Sequence, residues 1–563
     1  MLFPALSLYA FLNYDGTNLE SGTGAFLAKV MDAKLENVFV HMAKVTLKNC
    51  NAMLIGQSNH GGAQVYQNVI VAVDQIVKAA GATRNPLLQT IGSRNWSAPY
   101  TNLIGIAPKT SGVTVEAFGT CENDGKGNAI NWKSYQNHYS ALTEMDEDFA
   151  SGEWDETFWH EVDGVILPKT VRLGTVQTYE VGNNTAGIQK WVDYKKNVEG
   201  VAGYTYKSDY TYNANLLVNL TSYNFTSVSS ATIGGVEYAS GYSGGTLSIP
   251  KNTLTARGDS TLLIVGTVDG KTVSIIQPLV LADILISTAD DFEAMQWLAD
   301  EYMEDTNTWC APTKSANMAG YIVLTNNITY NRTYKVHQNS AAYTASAGFA
   351  GILDGRGYKV DGLEMVEQPY ATNSYPTNFG GFSSSKAWGA GSGIFAAMYG
   401  GTIKNIAFTN AKHSCGGGFI TSYMKNGNTI ENVYVHLLSA QGNDTSSTAQ
   451  ADRDLAAAGL FNTRSHAGGV AIKNVFAKID AVSAEYYSVG AFYANTIGTG
   501  MQNVYIVTAS SKVLLSDAGV EATAHSGLKI YANAAAATAD KEAWSKALPA
   551  KYWNVSGALP AFL

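Results

Sequence analysis

One phrase recurs along this chain and limits what it can fold into more than any other feature. A glycine precedes two apolar residues; about ten residues later comes apolar-x-Asn-apolar-aromatic-or-small-apolar. Gly393-Ile394-Phe395 leads to Ile403-Lys404-Asn405-Ile406-Ala407-Phe408, and Gly418-Phe419-Ile420 to Ile430-Glu431-Asn432-Val433-Tyr434-Val435. Gly459-Leu460-Phe461 precedes Ile472-Lys473-Asn474-Val475-Phe476, and Gly490-Ala491-Phe492 precedes Met501-Gln502-Asn503-Val504-Tyr505-Ile506. Near the start stand Gly24-Ala25-Phe26 with Leu35-Glu36-Asn37-Val38-Phe39-Val40, and a weaker copy, Tyr66-Gln67-Asn68-Val69-Ile70-Val71. Between Asn405 and Asn503 the asparagines lie about 27, 42 and 29 residues apart. A period of roughly 25 to 30, built of short alternating strands with Gly and Asn at the corners, predicts a parallel β-solenoid. Asparagine suits a corner because it tolerates the left-handed backbone region and its amide bonds neighbouring groups. Asn37, Asn405, Asn432, Asn474 and Asn503 are therefore predicted to stack as a structural ladder.

Composition narrows the class further. Of 563 residues, 46% are hydrophobic and 15% charged, which excludes a disordered chain. Fifty-five glycines against 12 prolines exclude collagen and proline-rich spacers. A net charge of −9 without a basic stripe argues against a nucleic-acid partner. No window reaches the ~18 consecutive apolar residues of a membrane span. Cys50, Cys121, Cys310 and Cys415 form no C-x-x-C pair, so they read as idle thiols rather than a zinc site or disulfide scaffold. The apolar start, 1–14, has no basic n-region or cleavage site and reads as strand, placing any secretion signal outside this sequence.

The expected fold class is all-β: parallel β-helix modules separated by an immunoglobulin-like sandwich, with short capping helices. Residues 1–169 read as the C-terminal part of a first solenoid with its cap. Residues 170–283 hold hairpin signals at Gly234-Gly235 and Asp269-Gly270 and read as the sandwich, without a disulfide. Residues 284–563 read as a second solenoid. A helix from Ala289 to Glu304, with Phe292, Met295, Leu298, Ala299 and Tyr302 on one face, is expected to plug its N-terminal end. Ser287 or Thr288 stands where its N-cap belongs. Phe158-Trp159-His160-Glu161-Val162 and Tyr552-Trp553-Asn554-Val555 each follow a helix-like run anchored by Phe149 or Trp544. They are expected to cap open strand edges, with Pro168 and Pro560 closing their modules.

The run Gly351-Ile352-Leu353-Asp354-Gly355-Arg356-Gly357-Tyr358-Lys359-Val360-Asp361-Gly362-Leu363 resembles the opening turn of pectate-lyase-like right-handed β-helix modules. These occur in repetitive surface proteins of gut bacteria and of some of their phages. The strand Tyr321 to Ile328 before it and the Gly-Ile-Phe…Ile-Lys-Asn-Ile rungs after it fit the same family. The likeness covers 284–563 well, 1–169 in part, and the sandwich only at the level of fold. It implies an extracellular or virion-surface location, and it speaks to architecture more than to activity, because such modules serve adhesion, spacing and glycan cleavage alike.

Candidate chemistry is sparse. Glycan hydrolysis needs converging carboxylates, whereas Asp354 and Asp361 each precede a glycine and read first as turn residues. The acidic run Glu144, Asp146, Glu147, Asp148, Glu153, Asp155 and Glu156 reads as a solvated cap face, with calcium as the weaker alternative, since it lacks EF-hand spacing. No other cofactor is implied. His41 and His436 follow the same rung phrase, which points to architecture. His413 near Cys415, and His466 after Arg464, lack a third partner. The glycines of 389–393 precede a strand rather than a helix and make no phosphate loop. Aromatics crowd the sandwich (Tyr204, Tyr206, Tyr210, Tyr212, Tyr223, Tyr238, Tyr242) and an insertion holding Tyr370, Tyr375, Phe379, Phe382 and Trp388. Tyr370, Tyr375, Phe379 and Trp388 are the expected binding residues, stacking on sugars or contacting protein.

The sequence thus points to a non-enzymatic structural or adhesive module. Its expected partner is a glycan or a host or bacterial surface protein, met by loops 366–392 and 440–455. The alternatives are a phage fibre or spike, assembling as a homo-oligomer, and a polysaccharide lyase or hydrolase.

Overall fold

Asparagine is the residue at which the long strands bend. Asn37, Asn68, Asn405, Asn432, Asn474 and Asn503 all have φ between 52° and 57°, a left-handed conformation that costs most residues roughly 1–2 kcal/mol. Such a residue resets the two-residue alternation of a strand. In the strand Thr429–Gln441, Ile430 and Val433 are both buried although three residues apart, and alternation then resumes through Val435 and Leu437. Thr402–Ser414 does this twice. Asn405 lies between buried Ile403 and Ile406, and Asn410, at φ 51°, between buried Phe408 and Ala411.

The structure is a computed structural model. It describes the strands named below within 1–168, and then, apart from a few positions, 171–197, 212–301, 317–336, 348–367, 393–441, 458–483, 500–509 and 527–563. Strand is the dominant element and the chain is all-β in class. It forms two compact units, Met1–Tyr179 with Asn213–Leu281, and Glu180–Tyr212 with Ala282–Leu563.

In the second unit, parallel strands follow one another in chain order: Ile284–Ile286, Tyr321–Leu324, Ile352–Asp354, Thr402–Ser414, Thr429–Gln441, Ala471–Ile479, Met501–Thr508 and Leu528–Tyr531. Equivalent positions of the repeat pair directly, Ile403 with Ile430, Ile430 with Ile472, and Ile472 with Met501. A second parallel sheet joins Asn317–Met318, Gly348–Phe349, Phe395–Tyr399, Thr421–Lys425 and Arg464–Ser465. The glycine phrase lies at its start. Ile394, Phe395, Phe419, Ile420, Leu460 and Phe461 are all fully buried. Gly393, at φ 115°, sits where a Cβ would lie 2.7 Å from the Thr421 backbone, so a side chain fits neither the conformation nor the space. Gly490-Ala491-Phe492 lies outside the described residues.

One continuous apolar core runs through these strands and takes in Phe292, Met295 and Ala299 of the helix Ala289–Glu301. Leu298 turns the other way, to Ile188, Trp191, Ala294 and Trp297. The helix begins with a capping box: Thr288 Oγ1 accepts from Asp291 N at 3.1 Å, and Asp291 Oδ2 accepts from Thr288 N at 3.0 Å and Ser287 N at 2.8 Å. Tyr302 lies outside the described residues. The partner helix Thr185–Asn197 differs from the expectation of one sandwich across 170–283, because it groups with the second unit. Its Lys195 pairs with Glu293, whose other oxygen is 2.8 Å from Arg332 Nε, and both Lys195 and Glu293 are buried. Trp191 supplies the apolar half of that contact.

The first unit repeats the stacking. Leu6–Ala10, Lys34–Leu47, Val65–Lys78, Tyr100–Pro108 and Asn131–Tyr135 pair in parallel, as do Leu27–Val30, Cys50–Ser58, Leu87–Ile91 and Thr114–Phe118. Two mainly antiparallel sheets and a two-stranded antiparallel hairpin complete the unit. Asp269 and Gly270, at φ 50° and 73°, make the two-residue turn joining Gly258–Val268 to Lys271–Ala282. Gly244-Gly245 makes another, at φ 57° and 79°. Phe225 links the sheets: a Cβ on Gly266 would meet its ring at 2.7 Å, and Tyr242 lies edge-on to it at 6.3 Å.

The tryptophan segments form matching antiparallel hairpins, in which Trp159 pairs with Pro168 and Trp553 with Phe562. Phe562, rather than Pro560, is the register equivalent of Pro168. In the second unit this hairpin and the helices Ala534–Ala539 and Lys541–Ala547 pack across an outward aromatic row. Phe476, Tyr505, Val507 and Tyr531 of successive strands lie under Trp544 and Trp553. The segment therefore covers a sheet face, since the second residues after Asn432, Asn474 and Asn503 are the large side chains Tyr434, Phe476 and Tyr505.

Replacing Asn432 by Ala is expected to lower unfolding stability by about 3 kcal/mol, through left-handed strain and loss of buried bonding. Asn432→Gly relieves only the backbone part and falls between; chemical denaturation ranks the three proteins. Thr288→Ala is expected to cost about 1 kcal/mol in the same measurement.

Candidate functional site

The five ladder asparagines lie at corners, and four of them bond in sequence. Asn503 Nδ2 donates to Asn474 Oδ1 at 2.9 Å, Asn474 to Asn432 at 3.1 Å, and Asn432 to Asn405 at 3.0 Å. Asn405 Nδ2 then donates to Asp354 Oδ1 at 3.0 Å. Every amide points the same way, and the run ends on a carboxylate, which needs no acceptor for itself and makes a stronger, charge-assisted bond. In the first unit, Asn68 Nδ2 donates to Asn37 Oδ1 at 3.1 Å, and Trp159 Nε1 reaches the same oxygen at 2.9 Å. The register places Asn102 beside Asn68. Sequence reasoning missed Asn102 and the roles of Asp354 and Trp159. Asn102-Leu103-Ile104 carries half the rung phrase and was within reach of it, whereas the Trp159 bond spans 122 residues.

Asp354 and Asp361 are each occupied separately. Asp354 Oδ1 also accepts from Arg356 N at 2.9 Å, and Oδ2 accepts from Tyr321 OH at 2.7 Å and lies 3.3 Å from Lys404 Nζ. Four donors on a carboxyl only 4% exposed leave no lone pair to take a substrate proton. Asp361 Oδ1 accepts from Thr409 Oγ1 at 2.5 Å and Asn410 Nδ2 at 2.8 Å.

A small exposed cluster lies on the outer face of the stacked sheet. His436 Nε2 is 2.8 Å from Asp480 Oδ2, Lys478 Nζ is 2.8 Å from Asp480 Oδ1, and Lys478 Nζ is 3.5 Å from His436 Nε2. It forms because His436 and Lys478 are register partners on adjacent strands, with Asp480 at the end of the second. Desolvation pushes the Asp480 carboxyl up, but hydrogen bonds from Lys478 and His436 together with their charges outweigh it, and the group titrates below the usual carboxylate range. Burial, then the Asp480 charge, raises the Tyr434 phenol. A carboxylate-oriented histidine is half of a hydrolytic triad, yet no Ser, Thr or Cys bonds His436 among the described residues. His41 and Asp74 hold the matching positions in the first unit, relative to Asn37 and Asn68. No group of three or more His, Cys, Asp or Glu side chains able to hold a metal occurs among the described residues.

The expected binding aromatics Tyr370, Tyr375, Phe379 and Trp388 lie outside the described residues, as do the acidic side chains between 144 and 156. In the antiparallel sheets of the first unit, Tyr238 is buried and Tyr242 OH donates to Phe225 O at 2.9 Å, so these two serve packing. The strand ends flanking the two long insertions are described. Val366 pairs with Ser414, His413 with Ala440, and Gln441 with Ser483. The chain therefore leaves for 368–392 and for 442–457 from the same corner, two strand spacings apart, about 10 Å.

No protein-family model matches the chain, and no curated protein or solved structure is similar to it.

The Asp480 pair gives a pH test. A carboxyl lowered by folding contributes stability that is present above its unfolded pKa of about 3.9 and is lost as pH falls through the lower folded value. Asp480→Asn is expected to unfold slightly more easily at pH 7, by about 0.5 kcal/mol for so exposed a pair. Thermal melts taken down through pH 4 and below should show the two proteins converging.

Proposed function

We propose that this chain is a non-enzymatic structural and adhesive segment of a repetitive extracellular surface protein. In this reading the parallel stacks are right-handed β-helix modules, the antiparallel sheets an immunoglobulin-like spacer, and the insertions 366–392 and 440–455 the parts that meet a glycan or a surface protein. The observation that carries it is the use made of polar side chains. Asn405, Asn432, Asn474, Asn503 and Asp354 bond one rung to the next, and the His436 cluster closes its charges on itself. Chemistry that would serve a substrate is committed to architecture, while the two long insertions share one corner. The aromatics Tyr370, Tyr375, Phe379 and Trp388 supply stacking surfaces in the first of them.

Deleting both insertions is expected to abolish binding to cells, mucin or arrayed glycans while leaving the unfolding midpoint within a few degrees of the parent. Unchanged binding would overturn the assignment of contact to these loops. Incubation with acidic and neutral polysaccharides is expected to release neither unsaturated products nor new reducing ends. Appearance of either would replace the adhesive reading with a lyase or a hydrolase.

A further inference from the structure

We draw no further inference here: the strongest candidate, the His436–Lys478–Asp480 cluster on the outer face of the stacked sheet, belongs to the site already described, where its charges are satisfied by one another and nothing among the described residues indicates a ligand.

Discussion

The amide-to-amide bond between asparagines on successive strands is the contact on which the second unit depends. It holds two requirements together. The strand must turn, which calls for a left-handed residue, and the turning residue must not leave a buried polar group unpaired. Asparagine meets both, because its Oδ1 accepts from the rung on one side while its Nδ2 donates to the rung on the other. Glycine would meet only the first. Each bond contributes roughly 0.5–1.5 kcal/mol net, but its larger effect is on register. A slip by one residue would take every asparagine out of its partner's reach and turn Val433, Val475 and Val504 away from the core.

From that register the other faces follow. The residues before three of the corners, Lys404, Glu431 and Lys473, stand side by side in alternating charge, with buried Asp354 beside Lys404, an arrangement that avoids like charges on neighbouring strands. Residues two after the Asn432, Asn474 and Asn503 corners make the row of Tyr434, Phe476 and Tyr505, with Tyr434 and Phe476 stacked 6° from parallel. That row is too apolar to leave in water, and the C-terminal helices and the Trp553 hairpin cover it. At the opposite end of the unit, the helix Ala289–Glu301 gives one face to the core and the other to Trp191. Its charged residues Asp290 and Glu293 meet Arg332.

Much of this was legible in the residues. The Asn phrase marked the corners, Asp269-Gly270 marked a hairpin turn of the first unit, and Ser287 or Thr288 marked the helix start. Other features were not legible, for reasons of distance or ambiguity. Asp354 before a glycine reads as a turn residue, and only parallel pairing across 51 residues makes it the end of the ladder. The helix Thr185–Asn197 carries Trp191 and Lys195 on a face whose partners lie about a hundred residues on, so local sequence assigned it to the sandwich. Pro560 looked like the counterpart of Pro168 by spacing, whereas strand pairing selects Phe562.

By itself the sequence determined the bends, the period and the inward side chains, because backbone preference and alternation act over two to five residues and need no distant partner. Tertiary structure alone decided where polar groups ended. Whether Asp354, His436 and Asp480 stood free for chemistry or were spent on their neighbours depended on strands brought together from 33 to 51 residues away. A side chain's local sequence shows what it is able to donate or accept, and only the fold brings the group that takes it.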